Sequence, residues 1–399
     1  MKILMLTPYL PYPLYSGGQI RSYNLLKNLS KKHQIVLFSF IRDKSEEKYI
    51  TDLKKYCIDV KVFLKRPPWS LKSLFLAGVS VYPLVVCMYL KKQLRDEIEY
   101  ITNKQHFDLI HAETFYVMPN IPPNNIPTIL AEQTIEYMVY QHYTEKVKFA
   151  PLKLLMDLDV HKIRYWEKKY WHKATRVVAM SEADKNVMQQ LIPNLDVNLV
   201  PNGVDLDFFP EKKTSSSYSN INKTVLFVGN FKWLQNREAV SIMVKEIWPK
   251  IINKLPKAKL WIVGKYPTKD IIKFASDSIK ISSDIKDIRG VYSSSDVLLA
   301  PIYGPGGTRY KILESMATGL PVVTTPTGIE GIGARDEVDV LISDDYDDLA
   351  CKTVKLLTDN IMYQRLSKNS RNLVKRKFNW SIIANTIDRI YEEAAYGNK

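Results

Sequence analysis

Short, unbroken apolar runs alternate with longer helical stretches along almost the whole chain, and the series occurs twice. In the first half the runs are Lys2–Leu6, Ile35–Phe40, Val60–Leu64, Leu109–His111, Thr128–Ala131, Arg176–Ala179 and Val197–Val200. In the second half they are Thr224–Val228, Lys259–Val263, Val297–Ala300, Val322–Thr324 and Val338–Ile342. Strands that are apolar at every position are covered on both faces, and helices between them are crossovers that join parallel neighbours. The pattern predicts an α/β chain of two doubly wound, Rossmann-like domains facing a cleft. Pro201–Lys223 holds a Pro-Asn-Gly turn and the polar stretch Glu211–Lys223 with Ser215-Ser216-Ser217, and it reads as an interdomain linker. The expected boundaries are 1–200, 201–378 and a terminal segment 379–399. Asp345–Thr358, Ile361–Lys377 and Trp380–Ala395 carry apolar residues at helical spacing.

Composition excludes several classes. With 399 residues, 46% apolar and 25% charged, the chain is an ordinary globular one and not a disordered one. Its three cysteines, Cys57, Cys87 and Cys351, are far apart with no Cys/His cluster, so neither a disulfide scaffold nor a structural zinc site is expected. The apolar run at the N-terminus is too short for a leader and reads as a first strand, which makes a cytoplasmic location the default. Ser73–Leu90 is uncharged and near the lower length of a membrane span, but it contains Gly78 and Pro83 and a span would break the strand–helix order around it, so it reads as helices that are buried or lie on a surface rather than as a span. The net charge of +15 admits nucleic acid, an anionic membrane or a phosphorylated small molecule as partner. Seven bases and no acid lie within 61–95, mixed with apolar residues, Trp69 and Phe75 among them. That mixture fits an anionic membrane surface better than a nucleic-acid groove, so no nucleic-acid partner is expected.

Four short segments carry candidate chemistry. Ser16-Gly17-Gly18 follows the first strand and opens a helix, a place where backbone N–H groups approach a phosphate; it is equally a plain strand-to-helix turn, and no G-x-G-x-x-G pattern is present. Gly304–Glu314 places Gly307, Thr308, Arg309 and Lys311 at the start of a helix after a strand. Two cations there oppose the helix dipole and make most sense with an anion bound, and Glu314 is suited to accept from ribose hydroxyls; the alternative is a solvated helix start. His111 and Glu113 stand at the carboxyl end of a strand on one side of it, either as site residues or as a structural histidine and a surface carboxylate. Glu132 and Glu136 follow the next strand and read as cleft-lining or as a solvated loop.

Taken together, these stretches resemble glycosyltransferase family 4, the retaining GT-B enzymes. The resemblance runs through Leu6-Thr7-Pro8 and Ser16–Leu26, through Val200-Pro201-Asn202-Gly203-Val204-Asp205, through Val228–Asn236, and most specifically through Gly307–Thr325 with Thr327–Gly331. It implies transfer of a sugar from a nucleotide-sugar, UDP- or GDP-linked, to an acceptor hydroxyl with retention and without metal or other cofactor. The first domain would hold a glycan or lipid-linked acceptor, the second the donor, and Trp380–Ala395 would cross back to the first. A peripheral position on the inner membrane face follows from the same reading.

Three departures from the family pattern mark this chain. Gly306 stands where many members have the first of two glutamates, Glu314 being the second. Asn230 and Asn236 stand where many members grip the diphosphate with Arg and Lys, so Arg309 and Lys311 are expected to supply that charge from the opposite loop. The variant loop resembles a subgroup of surface polysaccharide biosynthesis. Glu113 stands where many members have a site histidine, with His111 two residues earlier; the expected catalytic residue is Glu113, with His111 second. The expected donor-binding set is Gly17, Gly18, Asn230, Asn236, Asp284, Ile285, Gly307, Thr308, Arg309, Lys311 and Glu314. A nucleotide-sugar epimerase, a glycosyl phosphorylase or a non-catalytic GT-B binding protein is the alternative.

Overall fold

A computed structural model describes residues 1–68, 70–212, 222–283, 285–304 and 307–397. The chain divides into two compact units, Met1–Asn202 with Trp380–Lys399, and Gly203–Asn379.

The first unit is built on seven strands: β1 (Lys2–Thr7), β2 (Gln34–Ile41), β3 (Asp59–Leu64), β4 (Leu109–Glu113), β5 (Thr128–Glu132), β6 (Arg176–Ala179) and β7 (Val197–Leu199). They pair in the order β3-β2-β1-β4-β5-β6-β7, all parallel. The second unit has six: β8 (Thr224–Val228), β9 (Lys259–Val263), β10 (Ile279–Ser282), β11 (Val297–Ala300), β12 (Val322–Thr324) and β13 (Leu341–Ile342), ordered β10-β9-β8-β11-β12-β13 and again parallel. Buried runs such as Ile3–Leu6 and Val297–Ala300 are 0–2% exposed, as helices on both faces of a sheet require. In each unit the strand order reverses once, between β1 and β4 and between β8 and β11, and ligands of open α/β sheets bind beyond the carboxyl ends at that point.

Several expectations need correction. β10 went unanticipated because it is a half-buried edge strand with Lys280 and Ser282 turned outward, so no apolar run announces it. The strand expected over Val338–Ile342 shrinks to Leu341–Ile342. The Arg335 carbonyl accepts from the N–H groups of Val338, Asp339 and Val340, and Glu337 has φ 57°, so this stretch is a turn. The expected linker is only partly a linker. Residues 213–221, with Ser215–Ser217, lie outside the described residues. Val204, however, donates its N–H to Phe378 O (2.7 Å), Phe209 is buried, and Lys212 reaches Thr318 O and Ser295 O, so this stretch packs on the second unit. Ser73–Leu90 forms two helices, Leu71–Val79 and Leu84–Tyr89, parted at Ser80–Pro83. Among the described residues no helix is long and apolar enough to cross a membrane.

The last helix, Trp380–Tyr396, lies in the first unit beside the first helix, Gly17–Leu29. Its Asp388 accepts from His33 Nε2 (2.7 Å) and Lys32 Nζ (2.6 Å).

Two glycines make opposite demands. A Cβ on Gly264, just after β9, would lie 1.7 Å from the Gly229 carbonyl oxygen just after β8, and backbone cannot yield that distance. Gly290 sits in the helix Ile288–Ser293 with open space around it. Gly264→Ala is therefore expected to abolish cooperative folding of the second unit, whereas Gly290→Ala should raise stability by about 0.5–1 kcal/mol through the helix preference for Ala. Denaturant titration of both variants checks this.

Candidate active site

The first unit gathers its polar side chains at the β1/β4 reversal. Glu113 ends β4 and is fully enclosed, as is His111 two residues before it. His111 Nε2 donates to Glu113 Oε1 (3.1 Å), and Gln133 Nε2 donates to Oε2 (2.7 Å). Arg21 Nε stands 3.7 Å from the same carboxylate. The other ring nitrogen, Nδ1, shares a hydrogen bond of 2.8 Å with the Tyr391 hydroxyl of the last helix. Tyr9 hydrogen-bonds Gln133. Burial would push the Glu113 carboxyl up, but the His111 bond, the Arg21 charge and Gln133 outweigh it and hold it below the ordinary carboxylate range. The arrangement is a buried, ionised carboxylate with a fixed histidine. Tyr9 and Gln133 are the partly exposed groups that sit on it.

Arg21 is itself fully buried. Its NH1 donates to the carbonyls of Val200 (3.0 Å) and Pro201 (3.1 Å) and to Asn202 Oδ1 (3.3 Å), so one guanidinium ties the first helix to the end of the unit. Gly18 has a packing reason: its Cβ would lie 2.3 Å from Tyr9 Oη and 2.5 Å from Gln133 Oε1. Gly17 begins the helix behind the extended Ser16.

Glu132, at the end of β5, is not a solvated loop residue. Trp171 Nε1 donates to it at 3.0 Å and the Phe115 N–H at 3.3 Å. Glu167 accepts from the N–H groups of Glu136 (2.7 Å) and Tyr137 (3.1 Å). Burial raises all three carboxyls of Glu132, Glu136 and Glu167, and mutual repulsion adds to it for Glu132 and Glu167; Glu136 is pushed up to about 7.

The second unit repeats the geometry with the opposite charge. Asn230 and Asn236 lie in the loop and helix start after β8, and Arg309, Lys311 and Glu314 follow β11. Lys311 Nζ donates to Asn236 Oδ1 at 2.6 Å and lies 4.3 Å from the Phe227 ring centroid. Asn236 Nδ2 donates to Asn230 O at 2.9 Å. Arg309 precedes the helix Tyr310–Thr318, and its guanidinium donates to Gly304 O at 2.7 Å. Glu314 Oε2 accepts from the buried Tyr292 hydroxyl at 2.7 Å. Burial and then the Arg309 charge push the Lys311 ammonium well below its ordinary value, and burial raises Glu314. The Thr308 hydroxyl is buried without a hydrogen-bond partner among the described residues. Gly307 borders the loop; Ile285 packs partly against the apolar core, while Asp284 and Gly306 lie outside the described residues. Among the described residues there is no group of three or more His, Cys, Asp or Glu disposed to hold a metal ion.

Residues 15–208 match the family described as Glycosyltransferase Family 4, and residues 222–359 match Glycosyl transferases group 1. HepE from Anabaena, solved in complex with UDP and glucose, superimposes with a TM-score of 0.65 at 17% identity, over 98% of this chain and 100% of that one. The chain is a glycosyltransferase with the GT-B fold. A phosphatidyl-myo-inositol mannosyltransferase of Mycobacterium leprae is 26% identical over 297 residues, 72% of this chain and 74% of that protein. An uncharacterized 44.6 kDa protein in the cps region of Klebsiella pneumoniae is 22% identical over 362 residues, 86% of this chain and 88% of that one.

Sequence reasoning missed Arg21, Gln133, Tyr9, Tyr391 and Tyr292 in this glycosyltransferase. Gln133 stands beside Glu132 in a segment already singled out, and Arg21 falls in the first helix just past the glycine pair. Nothing in the sequence ties Tyr391 to His111, 280 positions away.

Two measurements test the buried charges. Arg21→Met leaves Glu113 enclosed without its cation and is expected to cost about 3–5 kcal/mol. Adding Glu113→Gln should recover most of that loss in denaturant unfolding, and no recovery would show that the two charges are not paired. Glu136 binds its proton more tightly folded, at about 7, than at the ordinary 4.5. Its contribution is therefore full on the acid side and is lost as pH rises between these values. Glu136→Gln should raise the Tm at pH 8 by roughly 2–4 °C and leave it near wild type at pH 5; equal shifts at both pH values would refute this assignment.

Proposed function

We propose that this glycosyltransferase moves a sugar from a UDP- or GDP-sugar to a hydroxyl of a glycan or lipid-linked glycan. We propose further that it retains the anomeric configuration, uses no metal ion, and works at the cytoplasmic face of the membrane in making a surface polysaccharide or glycoconjugate. The observation that carries this reading is the contact of Lys311 Nζ with Asn236, at 2.6 Å, at the β8/β11 reversal. It sets a cation from the β11 side against the loop after β8, where many family members place their own cations.

In the proposed reaction the bond from the anomeric carbon to the diphosphate breaks, the acceptor oxygen bonds that carbon, and the acceptor proton is lost. Negative charge develops on the departing diphosphate. Arg309 and Lys311 sit where they would meet it, and the unpartnered Thr308 hydroxyl beside them is a ready donor. Because these side chains supply the charge, the reading calls on no metal ion. Glu314, already holding the Tyr292 hydroxyl on one oxygen, would orient the ribose with the other. In the first unit, Glu113 and His111 would act on the sugar through Gln133 and Tyr9. The surface-polysaccharide role is supported by the Klebsiella relative in a cps region, and the lipid-linked acceptor by the lipid named for the mycobacterial relative. The UDP in the HepE structure supports the choice of nucleotide.

Arg309→Ala and Lys311→Met are each expected to lower sugar transfer by roughly 30- to 1,000-fold, the scale of a deleted charge-stabilising donor at about 2–4 kcal/mol. Nucleotide binding gives an independent readout. A bound diphosphate should stabilise the Lys311 ammonium, so UDP affinity measured by calorimetry should fall at least tenfold in Lys311→Met. Full transfer activity in both variants would remove the donor site from this position. The anomer formed, read by NMR on the product, decides retention, and sugar release without acceptor would favour an epimerase.

A further inference from the structure

We propose that the face formed by the helix Leu71–Val79, the turn that follows it and the first half of the helix Ala150–Lys173 docks onto an anionic phospholipid bilayer. Two sequence segments 75 residues apart make this one surface. Lys162 Nζ donates to Ala77 O (2.6 Å) and Ser80 O (2.9 Å), and Trp166 Nε1 donates to Val81 O (2.8 Å). Asp159 accepts from the Leu84 N–H at 2.9 Å. This seam runs along positions 159, 162 and 166 of the long helix, and Leu155 and Leu158 lie within one turn of it.

The apolar side chains beside the seam are unpartnered on a scale that single exposed residues do not reach. Among the described residues, ten of the 24 exposed large apolar side chains fall within 71–81 and 149–158. Leu71, Phe75, Val79, Leu154, Leu155 and Leu158 are 54–86% exposed. A concentration of this kind marks an interaction surface, because scattered exposed apolar residues are the ordinary case.

Charge chooses the occupant. Residues 61–95 carry seven bases and no acid, and 146–159 carry Lys146, Lys148 and Lys153 against Asp157 and Asp159, the latter taken up by the Leu84 N–H. Not all of these cations are available. Lys61 is paired with Glu97 at 2.6 Å, and half-buried Lys65 donates to the Tyr89 hydroxyl. Lys91 stands close enough to Arg66 and Lys72 to be repelled by both: burial, then these two neighbours, lower its ammonium. Cations crowded beside exposed leucine and phenylalanine fit a surface that offers phosphate groups above acyl chains, each base near such a surface being worth about 1 kcal/mol. The sequence alone had assigned only 61–95 to a membrane face. The structure takes Lys61 and Lys65 out of that assignment and brings the helix Ala150–Lys173 into it.

The test is flotation of the full chain with vesicles of phosphatidylglycerol and phosphatidylcholine, against vesicles of phosphatidylcholine alone. The wild type should float with the anionic vesicles and at least tenfold less with the neutral ones. Phe75→Glu and Leu155→Glu, both at exposed positions, should each reduce flotation at least tenfold with unchanged thermal unfolding. Lys72→Glu should lessen the preference for anionic vesicles. A wild type that stays in the dense fraction with both vesicles overturns the proposal, as does flotation of Leu155→Glu equal to wild type. A dimer in sedimentation equilibrium that Leu155→Glu dissociates, with no flotation of the wild type, would instead assign the face to a second copy of the chain.

Discussion

A parallel sheet covered by helices on both faces has one good place to hold charged side chains: beyond the carboxyl ends of its strands. Both units of this glycosyltransferase obey that constraint, and each concentrates its polar groups where the strand order reverses. In the first unit this is the end of β4, where Glu113 is enclosed by His111, Arg21 and Gln133. In the second it is the pair of loops after β8 and β11, where Lys311 meets Asn236. The apolar strands fix where chemistry is allowed, and the residues at their ends decide which chemistry it is.

The two reversals differ in sign. Glu113 is buried yet ionised, because its neighbours contribute two hydrogen bonds and a nearby positive charge that outweigh desolvation. Lys311 is half-buried with another cation near it, and its own ammonium is destabilised as a result. The Glu113 carboxylate already has its partners, whereas an anion arriving beside Lys311 and Arg309 would relieve their mutual repulsion. That asymmetry supports the proposal that the nucleotide binds at the second unit.

The last helix shows how distant segments complete a site. Asp388 holds it to Lys32 and His33, and Tyr391, one turn further on, reaches His111. The hydroxyl of Tyr391 and the carboxylate of Glu113 sit on opposite nitrogens of His111, so the ring's orientation is set from both sides. Arg21 does comparable work at the other end of the first helix, binding the backbone where the unit ends.

The strands of both sheets were legible because a doubly covered strand must be apolar at every position, and that pattern survives in one dimension. β10 was illegible for the same reason: an edge strand with one face to solvent does not need the pattern. Glu113, His111, Arg309, Lys311 and Glu314 were legible as candidates because they follow strands or glycine turns at short range. The sequence by itself determined the two doubly wound units and the charge types at their strand ends, since both follow from local periodicity and spacing. Only the tertiary structure decided which of those groups meet, as with Lys311 and Asn236 or Tyr391 and His111, and which bases are already paired. Burial and pairing depend on residues tens to hundreds of positions away, and no local pattern carries that information.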